Sequence, residues 1–108
     1  MAQWGRACVR QGDYGEAEQH FERGLKIGSR LMDATSIARI QFERAQVAIE
    51  QNAFGLANEC LDECGDIYEE LNDQEGMGEA FRQRARVYFN QNHYQQAESY
   101  AKSAYDYL

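Results

Sequence analysis

The chain has 108 residues, of which 44% are hydrophobic, 18 acidic and 11 basic, giving a net charge of −7. That length is one domain, and its acidic average surface repels a phosphate backbone, which argues against nucleic acid as a partner. No apolar run approaches a membrane span, no charged-then-apolar leader opens the chain, and three cysteines without framework spacing fit a reducing compartment, so the expectation is a soluble, cytoplasmic protein.

Trp4, Ala7 and Cys8 mark the inward face of a first predicted helix already under way at Met1, and Gly12 ends it. Asp13 with Glu16 three residues on forms a capping box, so a second helix is predicted from Tyr14 to about Leu31, with Tyr14, Ala17, Phe21 and Leu25 at helical spacing. Met32-Asp33 is a turn, and Asp33 caps a third helix from Ala34 to Gln51 whose apolar stripe is Ile37, Ala38, Phe42, Ala45, Ala48 and Ile49. A fourth helix from Phe54 to about Leu71 buries Leu56, Ala57, Cys60, Leu61, Cys64, Ile67, Tyr68 and Leu71, with acids on its other side. Asn72-Asp73-Gln74 repeats the turn before a fifth helix from about Glu75 to Gln91. A sixth, from about Tyr94 to Tyr107, presents Ala97, Tyr100, Ala101, Ala104 and Leu108.

Laid against itself, the chain recurs every 40 residues. Gly12-Asp13-Tyr14 through Ala17 and Phe21 returns as Asn52-Ala53-Phe54 through Ala57 and Leu61, and again as Asn92-His93-Tyr94 through Ala97 and Tyr100. Upstream, Gly5, Ala45 and Ala85 keep a small residue, and Ala7, Val47 and Val87 an apolar one. Such a period signals a solenoid of helical hairpins.

With this order of small, aromatic, alanine and large apolar residues, the chain resembles the tetratricopeptide repeat family over nearly its whole length. The first repeat, with Gly5, Gly12, Tyr14, Ala17, Phe21 and Leu25, is the most specific match; the period of 40 rather than 34 and the lack of proline depart from the common pattern. The resemblance is to the longer-helix variety. It implies an all-α fold, a right-handed α-α superhelix of six helices in three helix-turn-helix hairpins, with repeats at about 1–33, 34–73 and 74–108. Tyr105, Tyr107 and Leu108, with no following helix to cover them, suggest a piece of a longer array and self-association through exposed solenoid ends.

No chemistry is legible. There is no nucleophile elbow, zinc-protease motif or cysteine set with zinc spacing, so no catalytic residue, cofactor site or metal site is assigned and the protein is not expected to be an enzyme. Cys60 and Cys64 lie one turn apart, but Cys64 shares the column of Gly24 and reads as a small packing residue. Gly76 and Gly78 follow no strand and precede no Gly-Lys-Ser/Thr, so they read as close packing rather than a phosphate loop.

Binding remains, and charge suggests where. The first helices of the pairs carry Arg6, Arg10, Arg39, Arg44, Arg82, Arg84 and Arg86 against four glutamates, a net of +3, while the second helices carry a net of −8. In the family the first helices line the concave groove, which implies a basic groove and an acidic back. Residues matching the family's groove columns are Arg6, Val9 and Arg10, then Arg39, Phe42, Glu43, Gln46 and Ile49, then Glu79, Arg82, Gln83, Arg86 and Phe89. Arginines that fork onto carboxylates, with Phe42, Ile49 and Phe89 between them, imply an acidic protein or peptide segment as partner, and neither nucleic acid nor membrane. Arg44 and Arg84, in a column usually apolar, are expected to snorkel or pair between repeats. The family's two-carboxylate clamp for chaperone tails is not matched, since its columns hold Ala2, Arg6, Glu43, Glu79 and Gln83. The alternative is a structural spacer, or the sensor-arm solenoid of a larger signalling ATPase or transcription regulator.

Overall fold

The computed structural model describes residues 14–107, so the first predicted helix, with Arg6, Val9, Arg10, Gly12 and Asp13, and also Leu108, lie outside the described residues. Five helices follow one another: α1 (Tyr14–Arg30), α2 (Ala34–Glu50), α3 (Phe54–Glu70), α4 (Gln74–Asn90) and α5 (Tyr94–Tyr107). Each boundary falls within a residue of the expected one. No strand occurs among the described residues.

The regularity comes from the turns. Met32, Asn52, Asn72 and Asn92 all take positive φ, at 54°, 61°, 54° and 66°. Each lets the next amide reach back to the helix just ended: Asp33 N to Gly28 O at 2.9 Å, and Ala53 N to Ala48 O, Asp73 N to Tyr68 O and His93 N to Tyr88 O, each at 2.8 Å. A second bond from the left-handed residue itself, such as Asn52 N to Ile49 O at 3.0 Å, completes a Schellman closure at every turn. Asparagine tolerates this backbone; methionine does so at a cost. Asp33 then caps α2 by accepting from Ser36 N at 3.2 Å and Ser36 Oγ at 2.7 Å, bonds that hold its carboxyl below the usual range. Asp73 likewise accepts from Gly76 N at 2.9 Å, whereas Ala53 gives α3 no side-chain cap.

Consecutive helices pack together, most extensively α2 with α3 and α4 with α5, and less so α1 with α2 and α3 with α4; α2 also touches α4. The main core joins Ala38, Ala45, Ala48 and Ile49 of α2 to Ala57, Cys60, Leu61 and Cys64 of α3 and to Ala80 and Val87 of α4. A second cluster sets Ala17 and Phe21 of α1 against Ile40 and Val47 of α2. The apolar stripe expected on α2 omitted Ile40 and Val47 because an inner helix of a stack is covered on two faces, not one. Leu71, expected inside, is 47% exposed at the capped end of α3.

Close approach at the α1–α2 and α3–α4 interfaces is bought with small residues on alternate sides. A Cβ on Gly24 would lie 2.8 Å from Ile40 Cδ1, and one on Gly76 would lie 2.5 Å from the Tyr68 ring. One repeat on, the Gly24 and Ile40 columns hold Cys64 and Ala80, and the Tyr68 and Gly76 columns hold Gly28 and Ser36 one repeat back. Bulk moves across the interface in the first of these column pairs, whereas both members of the second are small in the earlier repeat.

Two stability outcomes follow. Met32→Gly should stabilise by about 0.5–1 kcal/mol, because Met32 is 88% exposed and loses no packing while its left-handed strain is relieved; thermal melts should rise by about 4–8 °C per kcal/mol. Gly76→Ala should destabilise by about 1–3 kcal/mol through overpacking on Tyr68, whereas Gly65→Ala, with nothing within 4 Å of its added Cβ, should stabilise by up to about 1 kcal/mol, as urea titrations would show.

Candidate functional site

Two clefts open on opposite faces of α4. The first, of about 810 Å³, is lined by Arg39, Phe42 and Glu43 of α2 and by Glu75, Gly76 and Glu79 of α4, with Tyr68 behind them and Ile27 and Leu31 at the end of α1. The second, of about 940 Å³, lies between α3 and α5 and is lined from α4 by Met77, Ala80, Phe81 and Arg84.

The first cleft gathers part of the expected groove. Arg39 and Phe42 line it, and Arg82 and Arg86 stand exposed on α4. Its lining departs from the expected sign, however: Asp33, Glu43, Asp73, Glu75 and Glu79 face a single guanidinium, that of Arg39. Arg82 Nη1 is committed to Glu79 at 3.2 Å, and Arg86 Nη1 donates to the buried Gln83 Oε1 at 2.9 Å. Gln46 is half-buried. Ile49, assigned to the groove by its column, is 1% exposed and belongs to the core, because that column turns toward α3 rather than outward. Phe89 is exposed at the far end of α4, with its ring edge-on to Tyr94 at 5.4 Å.

The arginines in the apolar column are structural. Arg44 of α2 pairs with Glu18 of α1, and Arg84 of α4 pairs with Asp62 of α3, each reaching from one hairpin to the preceding helix. Burial works against the charge of Arg44, but the Glu18 carboxylate outweighs it and raises the pKa above its ordinary value. Across the α2–α3 pair, buried Gln41 donates to Glu63.

Among the described residues neither thiol is exposed. Cys60 and Cys64 are buried, and Cys64 Sγ donates to Leu61 O at 3.6 Å. Burial pushes the Cys60 thiol up to about 11, although Arg44 pulls the other way, and pushes Cys64 up to about 12. Burial, aided by Cys64 and Asp73, also raises the Tyr68 phenol to about 12. Among the described residues no cluster of three or more His, Cys, Asp or Glu is placed to hold a metal, and no helix is long and apolar enough to cross a membrane.

At the C-terminal end Tyr107 is not left uncovered as expected. It stacks on Phe81 at 5.5 Å, Phe81 lies 6.1 Å from Tyr100, and Tyr100 stacks on Tyr88 at 5.3 Å, a row of rings that joins α4 to α5. Tyr105 is 81% exposed. Pattern reasoning missed this row because Gln41, Ala48, Cys60 and Ile67 occupy the same columns one repeat earlier.

Antiparallel helices closed by equivalent turns and packed in sequence define a helical-repeat architecture. Residues 2–27 match the tetratricopeptide repeat family, which supports a tetratricopeptide repeat there, and α1 begins within that stretch. No curated protein and no solved structure matches the chain significantly. Repeats of this family generally mediate protein–protein interaction and are typically non-enzymatic.

The buried acids of the core make the fold sensitive to alkali. Cys60, Cys64 and Tyr68 are neutral in the native state and titrate higher there than in the unfolded chain, so their contribution is complete below about pH 9 and is lost as pH rises toward 12. Chemical denaturation repeated across that range should show a falling midpoint, and Cys64→Ala should flatten the fall.

Proposed function

We propose that the protein is an interaction module whose α2–α4 face accepts an extended segment of a protein partner. The observation that carries this reading is the cleft of about 810 Å³ between parallel helices, with Phe42 and Tyr68 for apolar anchorage and ionic side chains around them. The charges are sorted along α4: Glu75 and Glu79 come first, Arg82 and Arg86 a turn or two later. The acidic part of the partner therefore lies over Arg82 and Arg86, and the part over Glu75 and Glu79 is neutral or basic. Only the first of these matches the wholly acidic segment that helix charges alone imply.

The spacer reading draws on a different observation. Arg44 and Arg84 spend their charge on Glu18 and Asp62 inside the stack, which suits an arm that mainly holds its own repeats together. Selection from a displayed library of natural peptides separates the two. Enrichment of segments with an acidic end, weakened by salt and lost by about tenfold or more in Arg82→Glu/Arg86→Glu, is the outcome expected of the groove. Unchanged affinity in that double variant rejects the groove assignment, and no enrichment favours the spacer.

A further inference from the structure

The second cleft, on the opposite face of α4, has a chemistry of its own. Its inner wall is half-buried and aromatic, made by Phe81 of α4 with Tyr100 and Tyr107 of α5, beside Met77 and Leu61. Its α3 rim carries Asp62, Asp66 and Glu69, all exposed. Arg84 answers only Asp62. The repeat supplies an internal control, since residues 40 positions earlier hold the equivalent register positions on α1, α2 and α3. There Glu22, Lys26 and Ser29 stand where the rim has Asp62, Asp66 and Glu69, and Gln41, Cys60 and Ile67 stand where the wall has Phe81, Tyr100 and Tyr107. Framework columns such as Ala17 and Ala57, Val47 and Val87, and Arg44 and Arg84 are meanwhile kept. The α3–α5 cleft thus sets three stacked rings beside a carboxylate rim, a combination that the residues 40 positions earlier lack.

We propose that this cleft is a second protein-binding surface, and that its occupant is a basic, partly aliphatic segment of a partner protein. A lysine or arginine laid along the rings meets their negative π faces while its charge reaches Asp66 and Glu69, and neighbouring aliphatic side chains fill the space over Met77. About 940 Å³ accommodates several side chains, which is more than a lone cation needs. The surface is distinct from the α2–α4 groove, being built from the other side of α4.

The test uses the whole chain and a short synthetic peptide alternating arginine with leucine, beside its glutamate-for-arginine counterpart, followed by aromatic-ring NMR shifts and by a binding isotherm. The basic peptide should shift the Phe81, Tyr100 and Tyr107 rings, and the acidic one should not. Asp66→Lys/Glu69→Ser, which installs the residues of the preceding repeat at two exposed positions, should weaken binding by about tenfold or more. Glu22→Lys/Glu98→Ser makes the same change in net charge away from the cleft and should weaken it by no more than about twofold. Equal weakening by both variants means that only net charge is being read and overturns the proposal. So does binding without ring shifts, or no binding of the basic peptide at all. The two outcomes for the α2–α4 groove, read with Arg82→Glu/Arg86→Glu, are untouched by any of these.

Discussion

The structure depends on one backbone device, a left-handed residue closing each helix at positions 32, 52, 72 and 92. Because every closure reverses the chain in three residues, each helix must return along the one before it. Because the devices are 20 residues apart, α1 to α4 have the same length, 17 residues or about 25 Å, and their ends stay level. Level ends make α2 and α4 equivalent members of a stack, so a residue and its counterpart 40 positions on occupy equivalent surroundings. Packing inherits that equivalence, and Arg44 and Arg84 both pair with the helix before them, though with carboxylates one turn apart in register.

Equivalence of place without identity of residue forces compensation. Gly24 admits the Ile40 side chain where Cys64 and Ala80 share the space more evenly, and Gly76 admits the Tyr68 ring as Gly28 admits Ile37. Interiors packed to crystal-like density leave little choice, since a methyl group added without removal opposite it has nowhere to go. The same logic explains the α4–α5 pair. Phe81, Tyr88, Tyr100 and Tyr107 replace Gln41, Ala48, Cys60 and Ile67 together, and their stacked rings fill a junction that smaller and polar residues fill between α2 and α3.

Helices and turns were legible because their signals are local. Asp33, Asn52, Asn72-Asp73 and Asn92 are residues whose side chains or tolerance of positive φ favour a helix boundary, and the apolar spacing between them has one dominant period. Even Met32, a poor left-handed residue, was located by its register with the asparagines. The inter-repeat pairing of Arg44 and Arg84 was legible as one of two options for charged residues in an apolar column. The charge of the groove was not. A helix total counts Arg44 and Arg84 as groove charge although both point into the stack, and it averages Glu43, Glu75 and Glu79, which line the first cleft, with arginines at other angles. Ile49 fails for the same reason: a column fixes position along the repeat, while exposure is decided by how far the neighbouring helix wraps around it.

Helix α3 shows what folding alone leaves unexplained. It carries Glu59, Asp62, Glu63, Asp66, Glu69 and Glu70 and no basic residue, with no acid in its first turn and two at its C-terminal end. That is the reverse of what the helix dipole favours, and each like-charge pair three or four residues apart costs about 0.2–0.5 kcal/mol more. Only Asp62 and Glu63 find partners across an interface, in Arg84 and Gln41. Stability would be served better by lysines at several of these positions, as Lys26 and Arg30 serve the end of α1. A row of carboxylates that the fold disfavours, set beside an aromatic wall that the preceding repeat lacks, is relieved most directly by a cationic partner lying along it.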